Sequence, residues 1–122
     1  MITVYYDGKC GMCSKEIRHY KQLARPDLFI WHDVATDPSL IEPLGVPLVD
    51  ALRRLHARDA EGNWHIGVAA FILIWRHLGR LKWSSMAWFL KLPLMFQIAT
   101  FAYNKLSDHR FANLAHCQMA LK

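Results

Sequence analysis

Within its first 34 residues the chain passes from a short apolar run to a helical pattern and back to a second apolar run, which leaves few folds open. Ile2 to Tyr6 is β-branched and aromatic and closes on Asp7-Gly8, a turn signal. Its nearly unbroken apolarity is that of a strand buried on both faces. A helix is predicted from about Cys10 to Ala24. Cys13, Ile17, Tyr20 and Ala24 fall on one face, and Lys15, Glu16, Arg18, His19 and Lys21 on the other. Pro26-Asp27 ends it, and Leu28 to Val34 reads as a second strand. Strand, helix and strand in so short a span predict a βαβ unit with parallel strands and a right-handed crossover.

The remainder alternates more loosely. Ala35 to Gly45 is broken by Pro38, Pro43 and Gly45 and is expected to be a loop with at most one helical turn. Pro47 suits the first turn of a short helix whose buried stripe is Leu48, Val49, Leu52 and Leu55. Leu55–Ala60 and Trp64–Val68 flank Glu61-Gly62-Asn63 and predict a hairpin, with Leu55, Ala57, Trp64, Ile66 and Val68 facing inward. Ala69 to His77 is a very apolar helix, stopped near Gly79. Ser84 or Ser85 is placed to cap another helix, Pro93 to break it, and a further stretch to run to about Lys105. Ser107-Asp108 then caps a last short helix through Phe111 and Leu114.

The order β-α-β, hairpin, helix is the core of an α/β, thioredoxin-like fold, here with an extra helical C-terminal tail. A chain of 122 residues can bury one hydrophobic core. The expectation is one domain over 1–122, with the core at about 1–80 and the helical extension at about 81–122.

Apolar residues at 53% and charged residues at 20% exclude a disordered chain. The net charge of +5 is scattered along the sequence and lacks the dense basic block of a nucleic-acid interface. The first residues carry no basic segment, and their apolar run is too short for a signal peptide, so a cytoplasmic location is expected. Thiols are kept reduced there, and an odd total of three cysteines argues against a structural disulfide framework. Ser84 to Tyr103 is long enough to span a bilayer, but Lys91, Pro93 and Gln97 interrupt it. Two helices packed over the sheet are expected there. The same residues, 84–103, are also the candidate for a peripheral membrane or partner contact.

The chemistry concentrates in Asp7-Gly8-Lys9-Cys10-Gly11-Met12-Cys13, where strand gives way to helix. Unpaired backbone N–H groups and the positive end of a helix dipole favour a thiolate at that point. Lys9 adds a positive charge, and Gly8 lets the backbone turn and leaves the sulfur accessible. Cys10 is expected to be the outer, attacking thiol, and Cys13, one turn deeper and less exposed, the resolving one. Asp7 is near enough in sequence to accept the proton of Cys13, although a turn or helix cap that accepts backbone hydrogen bonds is the first reading of such a residue.

The stretch Val4-Tyr5-Tyr6-Asp7-Gly8, followed by Cys10 and Cys13, resembles the DCC family of predicted thiol–disulfide oxidoreductases, named for its Asp, Cys and Cys. The resemblance continues through Leu55–Gly62 and Gly67–Phe71, and more weakly from Tyr103 to Arg110. It implies a thioredoxin-like fold and exchange with protein or small-molecule disulfides. One departure from thioredoxins and glutaredoxins stands out: Arg53-Arg54-Leu55, not a proline, precedes the hairpin strand.

Two rival readings follow from the same residues. Cys10 and Cys13 could hold zinc or iron with His116-Cys117, or with His19 or His56. Alternatively Trp75, Trp83, Trp88, Phe89, Phe96, Phe101 and Tyr103 could form the surface of a non-enzymatic docking module. No phosphate-binding glycine loop, paired-carboxylate site or Ser/His/Asp arrangement is present in the pattern, and no cofactor is inferred.

Overall fold

The computed structural model describes residues 1–25, 27–78 and 81–113. In chain order the elements are β1 (Ile2–Tyr6), α1 (Gly11–Leu23), β2 (Phe29–Asp33), α2 (Leu48–Arg53), β3 (His56–Arg58), β4 (Trp64–Ile66), α3 (Val68–Arg76), α4 (Leu81–Lys91) and α5 (Pro93–Asn113). The sheet order is β2-β1-β3-β4. β1 and β2 run parallel with Val4 opposite Trp31, while β3 lies antiparallel to β1 with Val4 opposite Ala57. A mixed four-stranded sheet with flanking helices and a C-terminal helix is the α/β, thioredoxin-like arrangement expected from the sequence.

Successive residues of a strand point to opposite faces, and β1 uses both. Val4 joins Ile17, Tyr20, Phe29, Leu73 and Ile74 in one core cluster. Tyr5 joins Val34, Ile41, Ala51, Leu52 and Phe111 in another. The amphipathic face of α1 is as predicted: Ile17 and Tyr20 are buried and Cys13 and Ala24 half-buried. Tyr20 also fixes α1 to α3, donating its hydroxyl hydrogen to Glu16 at 2.8 Å and accepting Trp75 Nε1–H at 3.0 Å.

Several local expectations are corrected. The segment 35–45 holds two 3-10 turns, Pro38–Leu40 and Glu42–Leu44, rather than at most one, because each proline opens its own turn. In the hairpin, Ala57 pairs with His65 and His56 with Ile66. That register puts Ala57 on the opposite face from Trp64 and Ile66; His56 shares the face of Ile66 and is buried, while Ile66 is exposed.

The helical tail also differs. Ser84 and Ser85 sit inside α4, which begins earlier because Trp83 packs on Tyr20 and Trp75. Ser107 and Asp108 do not start a helix, because α5 runs through them unbroken. The Ser107 hydroxyl donates to the Arg53 carbonyl at 2.9 Å, and Asp108 pairs with Arg54 at 3.1 Å. Pro93 does separate α4 from α5, and the pair is bent by 98°. The inner sides of the two helices pack on α3 through Ala87, Phe96, Ala99 and Tyr103. Trp88, Phe89 and Phe101 are exposed, not part of a core. Among the described residues no single helix is long and apolar enough to cross a membrane; the bent pair Lys82–Lys91 with Pro93–Ala112 passes on length and composition only. The expected stops at Pro26 and Gly79, and the residue Leu114, lie outside the described residues.

Candidate active site

The turn that leads from β1 into α1 is held from two sides. Asp7 Oδ1 accepts the Lys9 N–H at 3.1 Å, and the Asp7 carbonyl accepts the Cys10 N–H at 3.2 Å. Asp33, at the end of β2, accepts the Gly8 N–H at 2.9 Å, the N–H groups of Ala35 and Thr36, and the Thr36 hydroxyl. A Cβ on Gly8 would overlap the Asp33 carboxylate. Glycine is required there for close approach, and Gly8 is not among the positive-φ glycines. Sequence reasoning gave Gly8 its freedom to turn but missed Asp33, whose partner is 25 residues away.

Cys10 is the N-cap of α1, and its sulfur accepts the Cys13 N–H at 3.4 Å. That N–H is one of the donors that the first helical turn leaves without a backbone partner. The same curl of the side chain over the helix end buries it. Cys10 is 3% exposed and Cys13 half-buried, which reverses the expected order of exposure. Both are free thiols. Burial pushes the Cys13 thiol up to about 12. The Arg110 guanidinium pulls the other way, while the hydrogen bond to Cys10 and the charges of Cys10 and Asp7 add to the rise.

Cys13, not Cys10, faces a cavity of about 250 Å³. The cavity is mostly apolar, with walls from Ile17 of α1, Leu52 of α2, Leu55, Phe71 of α3, and Tyr103 and Leu106 of α5. Its polar margin includes Asp7, Glu16, Arg54 and Arg110. Asp7 is buried and pairs with Arg110, Oδ2 to Nη1 at 3.1 Å. Arg110 also donates to the carbonyls of Leu52 and Arg53. Tyr103 accepts the Leu55 N–H at 2.9 Å, and Arg54 donates to Asn104 at 2.9 Å. The connection from α2 to β3, where no proline stands, is therefore fastened to α5.

The C-terminal helix thus supplies one side of the site, which sequence reasoning treated as an addition to the core. The signal was present: Tyr103, Ser107 and Arg110 fall at i, i+4 and i+7, on one helical face. Lys9, expected to add charge beside Cys10, is exposed.

Among the described residues no three His, Cys, Asp or Glu side chains are grouped to hold a metal ion. His56 is buried with Nδ1–H donating to the Arg54 carbonyl at 2.9 Å, and His19 lies against the rings of Tyr20 and Trp83. His116 and Cys117 lie outside the described residues.

A model of the DCC1-like thiol-disulfide oxidoreductase family matches residues 4–114, from β1 through both cysteines and past Arg110. No curated protein matches the chain, and no solved structure does.

Proposed function

The chain belongs to the DCC1-like thiol-disulfide oxidoreductase family, and from that premise we propose that it reduces protein or small-molecule disulfides through the pair Cys10 and Cys13. The Cys10 thiolate attacks one sulfur of the substrate disulfide, forming a mixed disulfide and releasing the other half as a thiolate. Cys13 then gives up its proton and attacks the Cys10 sulfur. An internal disulfide forms, the second substrate thiolate leaves, and two electrons have passed to the substrate. Asp7 is the carboxylate assigned to receive the Cys13 proton, with Arg110 beside it. Small thiols of a reducing compartment such as the cytoplasm would return the pair to the dithiol and leave as their own disulfide.

The observation that carries this division of labour is the Cys13 N–H directed at Cys10 Sγ, together with the raised Cys13 pKa. A thiol raised in this way is almost wholly protonated at neutral pH, which makes Cys13 a poor first nucleophile. Cys10 must be uncovered for a substrate to reach it. The test is reduction of a chromogenic disulfide by the full chain and its single-cysteine variants. Cys10→Ser is expected to fall to background, and Cys13→Ser to accumulate a mixed disulfide on Cys10. Full activity in Cys10→Ser would overturn the assignment.

The cavity favours one other reading. A small disulfide seated there meets Cys13 first. Accumulation of the mixed disulfide in Cys10→Ser, and not in Cys13→Ser, would reverse the two roles.

A further inference from the structure

The outer surface of α4 and α5 is not accounted for by the redox site. Among the described residues, large exposed apolar side chains elsewhere are scattered: Met1, Ile30, Leu44 and Ile66. On the two helices they concentrate around the bend, where Trp88 (65% exposed), Phe89, Leu92, Leu94 (67%), Ile98 and Phe101 (64%) meet solvent. Leu94, Ile98 and Phe101 follow helical spacing, so one side of the first turns of α5 is a continuous apolar strip.

The charges that these two helices carry up to Ser107 have one sign. From Leu81 to Ser107 the sequence contains Lys82, Lys91 and Lys105 and no Asp or Glu. Lys82 Nζ lies 5.5 Å from the Trp83 ring centroid and Lys105 Nζ 5.0 Å from that of Phe101, so ammonium groups flank the aromatic side chains. A second copy docking through the same face would set lysine against lysine. A bilayer carrying anionic headgroups complements both features, with hydrocarbon beneath the apolar side chains and phosphate or carboxylate opposite the lysines. Aromatic rings at such a boundary are the usual interfacial anchors. The carboxylate of Asp108, on the same side of α5, marks where the strip ends.

We propose that the bend between α4 and α5 seats this protein on a membrane surface rich in anionic lipid, with Trp88, Phe89, Leu94 and Phe101 in the interface and Lys82, Lys91 and Lys105 on the headgroups. The helices lie on the bilayer and do not cross it. This docking is independent of the dithiol chemistry.

Co-sedimentation of the full chain with phosphatidylcholine vesicles, with and without phosphatidylserine, tests it. Binding is expected only with phosphatidylserine, to weaken with added salt, and to shift tryptophan emission to the blue. The variant Trp88→Ser/Phe101→Ser removes exposed side chains, and Lys82→Glu/Lys91→Glu/Lys105→Glu leaves every apolar contact in place. Each is expected to lower affinity roughly tenfold or more, with circular dichroism confirming an unchanged fold. No sedimentation with anionic vesicles would overturn the proposal, as would equal binding to neutral ones. A concentration-dependent dimer that disappears in Trp88→Ser/Phe101→Ser would assign the face to a second copy and overturn it as well.

Discussion

A guanidinium and a carboxylate taken out of water together are expensive to separate, and Arg110 and Asp7 form such a pair, with side chains 12% and 2% exposed. Replacing Arg110 by Met takes the guanidinium from the Asp7 carboxylate and its donors from the Leu52 and Arg53 carbonyls. The expected loss is about 3 kcal/mol in urea unfolding, partly recovered when Asp7→Asn is added. The same variant should raise the Cys13 midpoint further, because Arg110 is the group opposing its rise. His56 sets a pH dependence of its own. Burial lowers its pKa below 6.5, against the pull of its bond to the Arg54 carbonyl and the charge of Asp50. The unfolded chain takes up a proton near 6.5 where the folded one does not, so stability is full above that pH and falls as pH drops through it. Urea midpoints measured from about pH 7.5 down to about pH 5 should decline less steeply in His56→Gln than in the parent.

At the scale of elements, the junction of β1 with α1 depends on β2. Gly8→Ala would push a methyl group into the Asp33 carboxylate, which ties the Cys10 turn to the end of β2. A loss of roughly 1–3 kcal/mol is expected, together with slower disulfide reduction, since the turn that presents Cys10 must shift. Tyr20→Phe leaves the Trp75 indole N–H without its acceptor and should cost about 1–2 kcal/mol by the same urea assay. β1 and α1 were legible in the sequence to within a residue or so, because period-2 and period-3.6 patterns are local. The Cys-x-x-Cys placement followed from them. What escaped was set at long range. Ala57 and Ile66 each look buried in isolation, but only the pairing with His65 and His56 decides which face each takes. Asp33 reads as a strand end until Gly8 is brought to it. Ser107 reads as a cap until the Arg53 carbonyl arrives, and the exposure of Cys10 and Cys13 depends on a side-chain turn that spacing does not encode.

For the molecule as a whole, α5 works as the wall that keeps water from Cys13. Tyr103 lines the cavity and binds the Leu55 N–H, and Leu106 lies beside it. Since desolvation is the leading cause of the raised Cys13 pKa, opening that wall should lower it. Tyr103→Ala is expected to bring the Cys13 midpoint down from about 12 toward that of a free thiol, and to speed its alkylation at mildly alkaline pH. Following thiolate absorbance in Cys10→Ser backgrounds with and without Tyr103→Ala checks this directly.

The Asp7–Arg110 pair joins residues 103 positions apart. On the ribosome, Asp7 waits while α1 to α4 are made, because its guanidinium partner is encoded 103 residues later. The dithiol turn can form once β2 has been made, but its wall and its counter-charge arrive together and later. Assembly of the finished site is therefore tied to synthesis of α5, and a nascent chain stalled in α4 would carry both cysteines with neither Tyr103 nor Arg110 to govern them.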